Sequence, residues 1–451
     1  MQVIVVGCGK VGRTIAAELA QEDNDVTVVD TDAERVDSVS TIYDVMGVVG
    51  NATSFKTLSE AGIEHTDMLI AVTQSDEVNL LCCVLAKKAS DCSTIARVRN
   101  PIYSAERNFL QEELGVSMTI NPEFEAAKEI SHLLRFPQAS EVYGFGKHRA
   151  SIISFTVPEE CALVGQSLRE LSHKLPKNIL VCMAKRDDTV IIPDGSFVTQ
   201  PGDVLSIFTG QLAADEFFRR IGLQNKRIKN TLIIGGGRVS YYLAKILAKS
   251  DIDVKIIEKD YARCEELSGL LPNATIIHGD GSDQEFLKEE HIETMDSMLA
   301  STSIDEENII LSLYAKDIIR YKVITKLSHM EVDSVVKKLN LDAIVSPRSI
   351  TSETIVRFVR ATRNGMGSNV EVMYKMLDGR AEALEFTIHE NSAVTGVKLQ
   401  EMQLKKNVLI GAIYRHGKLI VPTGSDKLAK GDAVIVITTN IGFQDISDIL
   451  A

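Results

Sequence analysis

The sequence predicts an α/β chain with two doubly wound parallel sheets, each followed by a small α+β unit. Three observations carry this expectation. A glycine-rich turn, Gly7-Cys8-Gly9-Lys10-Val11-Gly12, stands between the apolar run Gln2 to Val6 and the helical run Thr14 to Ala20. Asp30 closes the β-branched run that begins at Asp25, about 20 residues past the glycines, where a dinucleotide-binding βαβ unit places an acid. The combination then returns. Gly235-Gly236-Gly237-Arg238-Val239-Ser240 follows Thr231-Leu232-Ile233-Ile234, and Glu258 closes the run from Asp253. Gly7 to Gly235 and Asp30 to Glu258 are both separated by 228 positions (235 − 7 and 258 − 30), a fixed offset that marks a duplicated domain.

The remaining elements follow in order. Val45 to Val49 reads as a third strand, followed by Gly50-Asn51-Ala52-Thr53 and a helix through Leu58. Met68 to Val72 is a fourth strand running into the polar turn Thr73-Gln74-Ser75-Asp76-Glu77 and a helix from Val78 to Ala89. Thr94 to Val98 and Val116 to Ile120 are the fifth and sixth strands. Asn121-Pro122 opens a helix, with proline at its first position. From Tyr143 the pattern changes to short strands at Ile152 to Val157, Ile179 to Met183, Thr189 to Ile192 and Val204 to Thr209. Turn chemistry at Pro193-Asp194-Gly195 and Pro201-Gly202-Asp203 separates them, with helices at Leu168 to Leu171 and Ala213 to Ile221. Lys226 to Asn230 reads as a solvated linker.

The second half replays this order. Gly279-Asp280-Gly281-Ser282 echoes Gly50-Asn51-Ala52-Thr53, and Asp305-Glu306-Glu307-Asn308 echoes Asp76-Glu77-Val78-Asn79. Ile420-Val421-Pro422-Thr423-Gly424-Ser425 echoes Ile191-Ile192-Pro193-Asp194-Gly195-Ser196, and Gly431-Asp432 echoes Gly202-Asp203. Four units result: Rossmann-like domains at 1–140 and 229–365, and small α+β domains at 141–224 and 368–451. The small units bury little core alone, so each is expected to lean on a neighbour or bind a second small ligand. A fragment ending near Ser140 is expected to keep nucleotide binding, because it holds the whole first sheet.

Composition excludes several classes. With 62 acidic against 49 basic residues the formal charge is −13, which argues against nucleic acid as a partner. No apolar run reaches the roughly 18 residues that span a bilayer, and a first strand at Gln2 leaves no room for a signal peptide. Seven scattered cysteines without a C-x-x-C pair fit a reducing cytoplasm.

The candidate chemistry is nucleotide recognition. In such a loop the first glycine makes the turn, the second lets a pyrophosphate approach, and the third lets helix and strand pack closely. Asp30 and Glu258 would accept from adenosine ribose hydroxyls and repel a 2′-phosphate, disfavouring NADP; alternatively each is a strand-end acid in water. Thr73 and Gln74 stand where strand order reverses and would touch phosphate or the second ribose, or else cap the next helix. Arg238 would pair with phosphate or point to solvent. Ser240, in place of the third glycine, is either absorbed by a small shift or alters the second pocket. No metal-spaced Cys/His set and no catalytic constellation emerges.

Two dinucleotide-type domains with a D-E-x-N turn, each followed by a small unit with I-P-x-G-S and G-D, resemble the double-RCK (KTN) regulatory subunits of Trk-type potassium uptake systems. The resemblance covers the whole chain. It implies a non-catalytic protein assembled as a ring, usually a tetramer, peripheral on the cytoplasmic face of a membrane-embedded potassium transporter. NAD(H) and ATP/ADP would bind the larger domains and change the ring's shape. The first site would comprise Gly7, Cys8, Gly9, Lys10, Val11, Gly12, Asp30, Thr73, Gln74 and Arg97. The second would comprise Gly235, Gly236, Gly237, Arg238, Val239 and Glu258, its occupancy qualified by Ser240. The other readings are a duplicated NAD-dependent oxidoreductase, distinguished by NADH consumption with small carbonyl substrates, and a nucleotide sensor with no membrane partner.

Overall fold

The computed structural model describes residues 1–451 except 23, 146–149, 177–178, 224–226, 329–335, 337, 366–369, 378, 390–391 and 444. Lys226 and the expected unit boundaries at 224 and 368 lie outside the described residues. The first half alternates strands and helices: β1 (Gln2–Val6), α1 (Lys10–Gln21), β2 (Asp25–Asp30), α2 (Ala33–Tyr43), β3 (Met46–Val49), α3 (Phe55–Glu60), β4 (Met68–Ala71), α4 (Asp76–Ala89), β5 (Ser93–Arg97), α5 (Pro101–Ala105), α6 (Arg107–Glu112), β6 (Met118–Ile120) and α7 (Pro122–Arg135). The strands pair in parallel in the order β3-β2-β1-β4-β5-β6. This doubly wound order reverses between β1 and β4, the point at which such sheets place a ligand crevice, outside the strands' carboxyl ends. Val3 to Val6 are buried because β1 lies mid-sheet with both faces covered. α4 starts two residues earlier than its apolar periodicity suggests, since the Ser75 hydroxyl accepts from the Val78 N–H and caps it.

The first small unit holds β7 (Glu141–Phe145), β8 (Ala150–Thr156), α8 (Leu168–Leu171), β9 (Ile179–Arg186), β10 (Thr189–Ile191), β11 (Val204–Gly210) and α9 (Gln211–Arg220). Its antiparallel sheet runs β10-β9-β11-β8-β7. β7 lies outside the strands expected from the sequence: its Gly144 and half-buried residues give no alternation, and pairing with β8 makes it a strand. The Gly-Asp turn has a definite job. The buried Asp203 accepts Arg186 Nε and Nη2, both at 2.7 Å, and the Gln200 N–H at 2.8 Å.

The second half repeats the topology through β12 (Asn230–Ile234), α10 (Arg238–Leu247), β13 (Asp253–Glu258), α11 (Tyr261–Leu270), β14 (Ala274–His278), α12 (Gln284–Glu289), β15 (Ser297–Ala300), α13 (Asp305–Ala315), β16 (Lys322–Lys326), β17 (Ala343–Val345) and α14 (Pro347–Gly365). β18 (Val370–Met376), β19 (Ala381–Thr387), β20 (Val408–Arg415), β21 (Lys418–Ile420) and β22 (Ala433–Thr438) form the second antiparallel sheet. The orders are β14-β13-β12-β15-β16-β17 and β18-β19-β22-β20-β21. Asp432 takes the place of Asp203, accepting Arg415 at 2.8 and 2.7 Å. The solvated linker is corrected. Ile228 is 2% exposed within the core of the second half, and the Lys229 N–H donates to Asp296 at 2.8 Å.

The two halves are not beads on a string. α7 lays Ala126, Ala127, Ile130, Leu133 and Leu134 against α10 and the second sheet, sharing one core with Leu243, Ile233 and Ile324. Reciprocally, α14 lays Ile355, Val356 and Val359 into the core of α1 and the first sheet. Each such aliphatic side chain contributes about 1.5–3 kcal/mol when removed from water. The Tyr242 hydroxyl accepts from Asn121 at 2.9 Å, and Arg348 donates to Thr14 at 2.9 Å. The small sheets pack face to face through Phe145, Met183 and Phe208 on one side and Ala383, Tyr414 and Ile437 on the other. Each small unit therefore leans on its own duplicate.

This exchange changes the expectation for a fragment ending near Ser140. It keeps the first sheet but loses the α14 residues covering it, while the apolar face of α7 loses α10. Such a fragment should self-associate at micromolar concentration, and sedimentation should find it dimeric or larger. A stable monomer melting like the full chain would contradict the exchanged-helix account.

Candidate nucleotide-binding sites

Both glycine turns have the same shape. Gly7 and Gly235 take φ +101° and +99°, where L side chains are strained. A Cβ on Gly7 would sit 3.1 Å from the Thr73 nitrogen, and one on Gly235 would sit 2.6 Å from the Ser301 oxygen. Gly9 and Gly237 cap α1 and α10 with matching angles (φ −68° in both, ψ −177° and −175°) and no side-chain cap. Space in front of both is open, since a Cβ on either would meet nothing within 4 Å. Neither helix carries an acid in its first turn, whereas α4 and α13 do. The uncapped N–H groups and helix dipole therefore favour an anion at both loops.

Ser240 is absorbed. A Cβ on Gly12 would strike the Gly7 oxygen at 1.8 Å. At the equivalent place the buried Ser240 hydroxyl donates to the Gly235 oxygen at 2.5 Å, and the loop keeps its angles.

The acids brace the loops. Asp30 Oδ2 accepts the Cys8 N–H at 2.6 Å and Oδ1 accepts the Asp32 N–H at 3.0 Å. Glu258 repeats this with Gly236 at 2.6 Å and Asp260 at 2.8 Å. Neither sequence reading of these acids included that role; each carboxylate retains further lone pairs. Burial, then Asp30, pushes the Cys8 thiol up to about 12, so it is no nucleophile at neutral pH.

Thr73 faces the Gly7 turn, but its hydroxyl donates to Asn79 Oδ1 at 2.7 Å, and its N–H donates there at 2.8 Å. The buried Asn79 also donates to the Thr73 and Arg97 carbonyls at 3.2 and 2.9 Å. Asp76 accepts the Arg99 and Asn100 N–H groups at 2.9 and 2.7 Å. Asn308 and Asp305 do the same for Thr302, Lys326 and Ser328. Asp76 and Asn79 are thus the scaffold residues absent from the predicted site, and the duplicated D-E-x-N was the signal for them. Gln74 is exposed at the crevice. Val239 is 4% exposed and belongs to the core, so its backbone alone is available to a ligand.

Arg97 closes β5. Burial first, then the like charge of Arg99, lowers its pKa from the ordinary arginine value; Glu123 and Asp76 oppose this, and Arg238 of the second glycine turn is the smallest contributor. The Arg97 Nε is buried without a hydrogen-bond partner. On the outer face of α1, Lys10, Arg13, Thr14, Tyr43 and Arg348 line a cleft of about 480 Å³. Among the described residues no three His, Cys, Asp or Glu side chains are placed to hold a metal, and no helix is long and apolar enough to cross a membrane.

Paired glycine-turn domains joined by exchanged helices, each with a small antiparallel sheet, define a tandem RCK-type protein. The TrkA-N domain matches residues 3–122 and 231–347, and the TrkA-C domain matches 152–222 and 383–451. A Trk system potassium uptake protein TrkA homolog of Archaeoglobus fulgidus is 32% identical over 449 residues, covering 100% of both chains. The Trk system potassium uptake protein TrkA of Haemophilus influenzae is 31% identical over 443 residues, covering 97% of this chain and 95% of that one. Among solved structures, the GsuK channel bound to NAD shares the fold at TM-score 0.63 and 16% identity, over 97% of this chain and 76% of that one. The chain belongs to the TrkA family of Trk potassium uptake proteins.

Both third-glycine positions should lose stability when changed, for different reasons. Gly12→Ala should cost about 1–3 kcal/mol by overpacking against the Gly7 carbonyl and lower the melting temperature. Ser240→Gly should cost about 1 kcal/mol, one hydrogen bond and a little helix propensity. Thermal unfolding measures both, and either variant melting at or above the native chain would contradict the assigned geometry.

Proposed function

We propose that this chain is the non-enzymatic regulatory subunit of a Trk-type potassium transporter, bound to its cytoplasmic face and gating it by nucleotide-dependent changes of shape. The observation that carries this reading is the pair of glycine turns, each opening a helix with no side-chain cap and no acid in its first turn, in two halves interlocked by α7 and α14. A polyphosphate at such a loop would bind the free N–H groups, and unequal affinity for two arrangements of the halves would shift the chain between them. Coupling of this kind is typically about 1–3 kcal/mol per site. NAD(H) and ATP/ADP fit the loops and the acids, with Asp30 and Glu258 as ribose acceptors that disfavour a 2′-phosphate.

Ring assembly has a physical basis in exposed apolar side chains on the outer helices. Leu81 on α4 is 46% exposed, Ile310 and Leu313 on α13 are 66% and 38% exposed, and Phe109 on α6 is 54% exposed. Repeated on both halves, such faces favour association of several copies, and a tetrameric ring is the assembly we infer.

Gly9→Asp tests the reading. Asp is a good N-cap and has open space there, so the fold should survive while its carboxylate occupies the phosphate position. Calorimetry should find at least tenfold weaker NADH and ATP binding at the first site, about 1.4 kcal/mol. Potassium flux through the partner transporter in vesicles should lose its nucleotide response. Unchanged affinity, or tighter binding of NADPH than NADH to the native protein, would contradict the site assignment. Normal affinity loss with an unaltered flux response would contradict the regulatory role.

A further inference from the structure

The cleft of about 480 Å³ on the outer face of α1 is lined by both halves of the chain. Lys10, Arg13, Thr14 and Glu18 follow one another along that face at helical spacing. Tyr43 closes α2 beside them, and Arg348 enters from α14 of the second half. The polar groups are held in place. Arg348 Nη2 donates to the Thr14 hydroxyl at 2.9 Å, which donates in turn to the Lys10 carbonyl at 3.0 Å. Arg13 Nε donates to the Tyr43 hydroxyl at 3.3 Å, and its guanidinium carbon lies 5.7 Å from the centre of that ring. The lining thus has three cations against one carboxylate, Glu18, which is paired with Lys375 of β18 at 2.8 Å.

The duplication supplies an internal control. Across the 228-residue offset, Arg13, Thr14 and Tyr43 become Tyr241, Tyr242 and Leu271 (13 + 228, 14 + 228 and 43 + 228). There, where α10 packs on α7 as α1 packs on α14, all three are buried in one apolar core. The two tyrosine rings meet edge-on with centroids 5.2 Å apart, and Phe124 of α7 stands edge-on to Tyr242 at 5.5 Å. Pro122 and Pro347 open α7 and α14, so the counterpart of Arg348 is Glu123, which is paired with Arg99 at 2.6 Å.

One junction is therefore closed by aromatic packing, and the other keeps a cationic cleft at the same place. The fold does not require the cleft. Filling it with apolar side chains, as the second half does, is the more stabilising choice for a helix junction.

We propose that this cleft is a second anion site, separate from the glycine turns, which takes a small phosphate-bearing molecule and ties α1 to α14 when filled. Two guanidinium forks from opposite halves and one ammonium suit the several oxygens of a phosphoryl group. The Tyr43 ring offers an apolar wall to the rest of the ligand, and the volume falls within the range of about 300–1,000 Å³ usual for small-molecule sites. Because Arg13 belongs to the first half and Arg348 to the second, an anion held by both fixes the exchanged helices against one another. The site stands whether or not the glycine turns bind nucleotide.

Inorganic pyrophosphate, titrated calorimetrically into the full chain at about 0.15 M salt, tests this. The titration uses the chain carrying Gly9→Asp and Gly237→Asp, whose carboxylates oppose phosphate at both turns and have open space there. Binding should persist in that background, and adding R13Q and R348Q should weaken it by about tenfold or more. With the glycine turns native, R13Q/R348Q should leave NADH affinity within about twofold. Pyrophosphate binding that vanishes with the two glycine variants alone, or that survives R13Q/R348Q unchanged, would overturn the proposal. A parallel fall in NADH affinity would overturn the separateness of the site. Should the combined variant not fold, thermal unfolding decides: pyrophosphate should raise the melting temperature of the native chain more than that of R348Q, and equal rises would overturn the proposal.

Discussion

The structure depends on one constraint. A parallel sheet with apolar strands must be covered on both faces, and each half of this chain completes the cover of its sheet with a helix from the other half. α7 leaves the first sheet for α10, and α14 returns to α1. Separating the halves would bare Ile355, Val356 and Val359 together with the surfaces they fill. The halves therefore cannot be parted cheaply. The face-to-face packing of the small sheets adds a second tie, remote from the glycine turns.

The exchange also brings the second glycine turn's helix against the first half. α10 begins at that turn, and its Tyr242, one turn along, is bonded to Asn121 of the first half at 2.9 Å. At the far end of α1, Glu18 and Glu22 are tied to Lys375 and Arg360. One helix thus has an open anion-favouring N-terminus at one end and ionic attachments to the second half at the other.

Much of this was legible in the sequence because it is local. β-branched runs between glycine turns mark the parallel strands, and the 228-residue offset marks the duplication. The non-local features were hidden. Nothing in the apolar stripe of α7 says which sheet it covers, and Ile228 inside a basic stretch reads as linker until its neighbours fold around it. β7 has no alternation, since pairing with β8 defines it. The placement of the candidate residues was legible: the glycine turns follow β1 and β12, the acids end β2 and β13, and Thr73 and Gln74 follow β4. Their partners were not. Asp30 and Glu258 turned out to hold loop N–H groups, Thr73 is committed to Asn79, and Val239 is core. Hydrogen bonds of this kind join residues far apart in the chain and leave no periodic trace.

On the proposed function, a nucleotide at the first turn alters the arrangement of two halves that remain interlocked. Spin labels on cysteines introduced at the exposed Glu60 of α3 and Glu289 of α12 would report it, since the seven native cysteines are buried. Pulsed dipolar distances should shift by more than about 2 Å between the free protein and protein saturated with NADH or ATP, with each distribution staying narrow. Identical distributions in both states, with calorimetry showing full occupancy of the first site, would contradict the account.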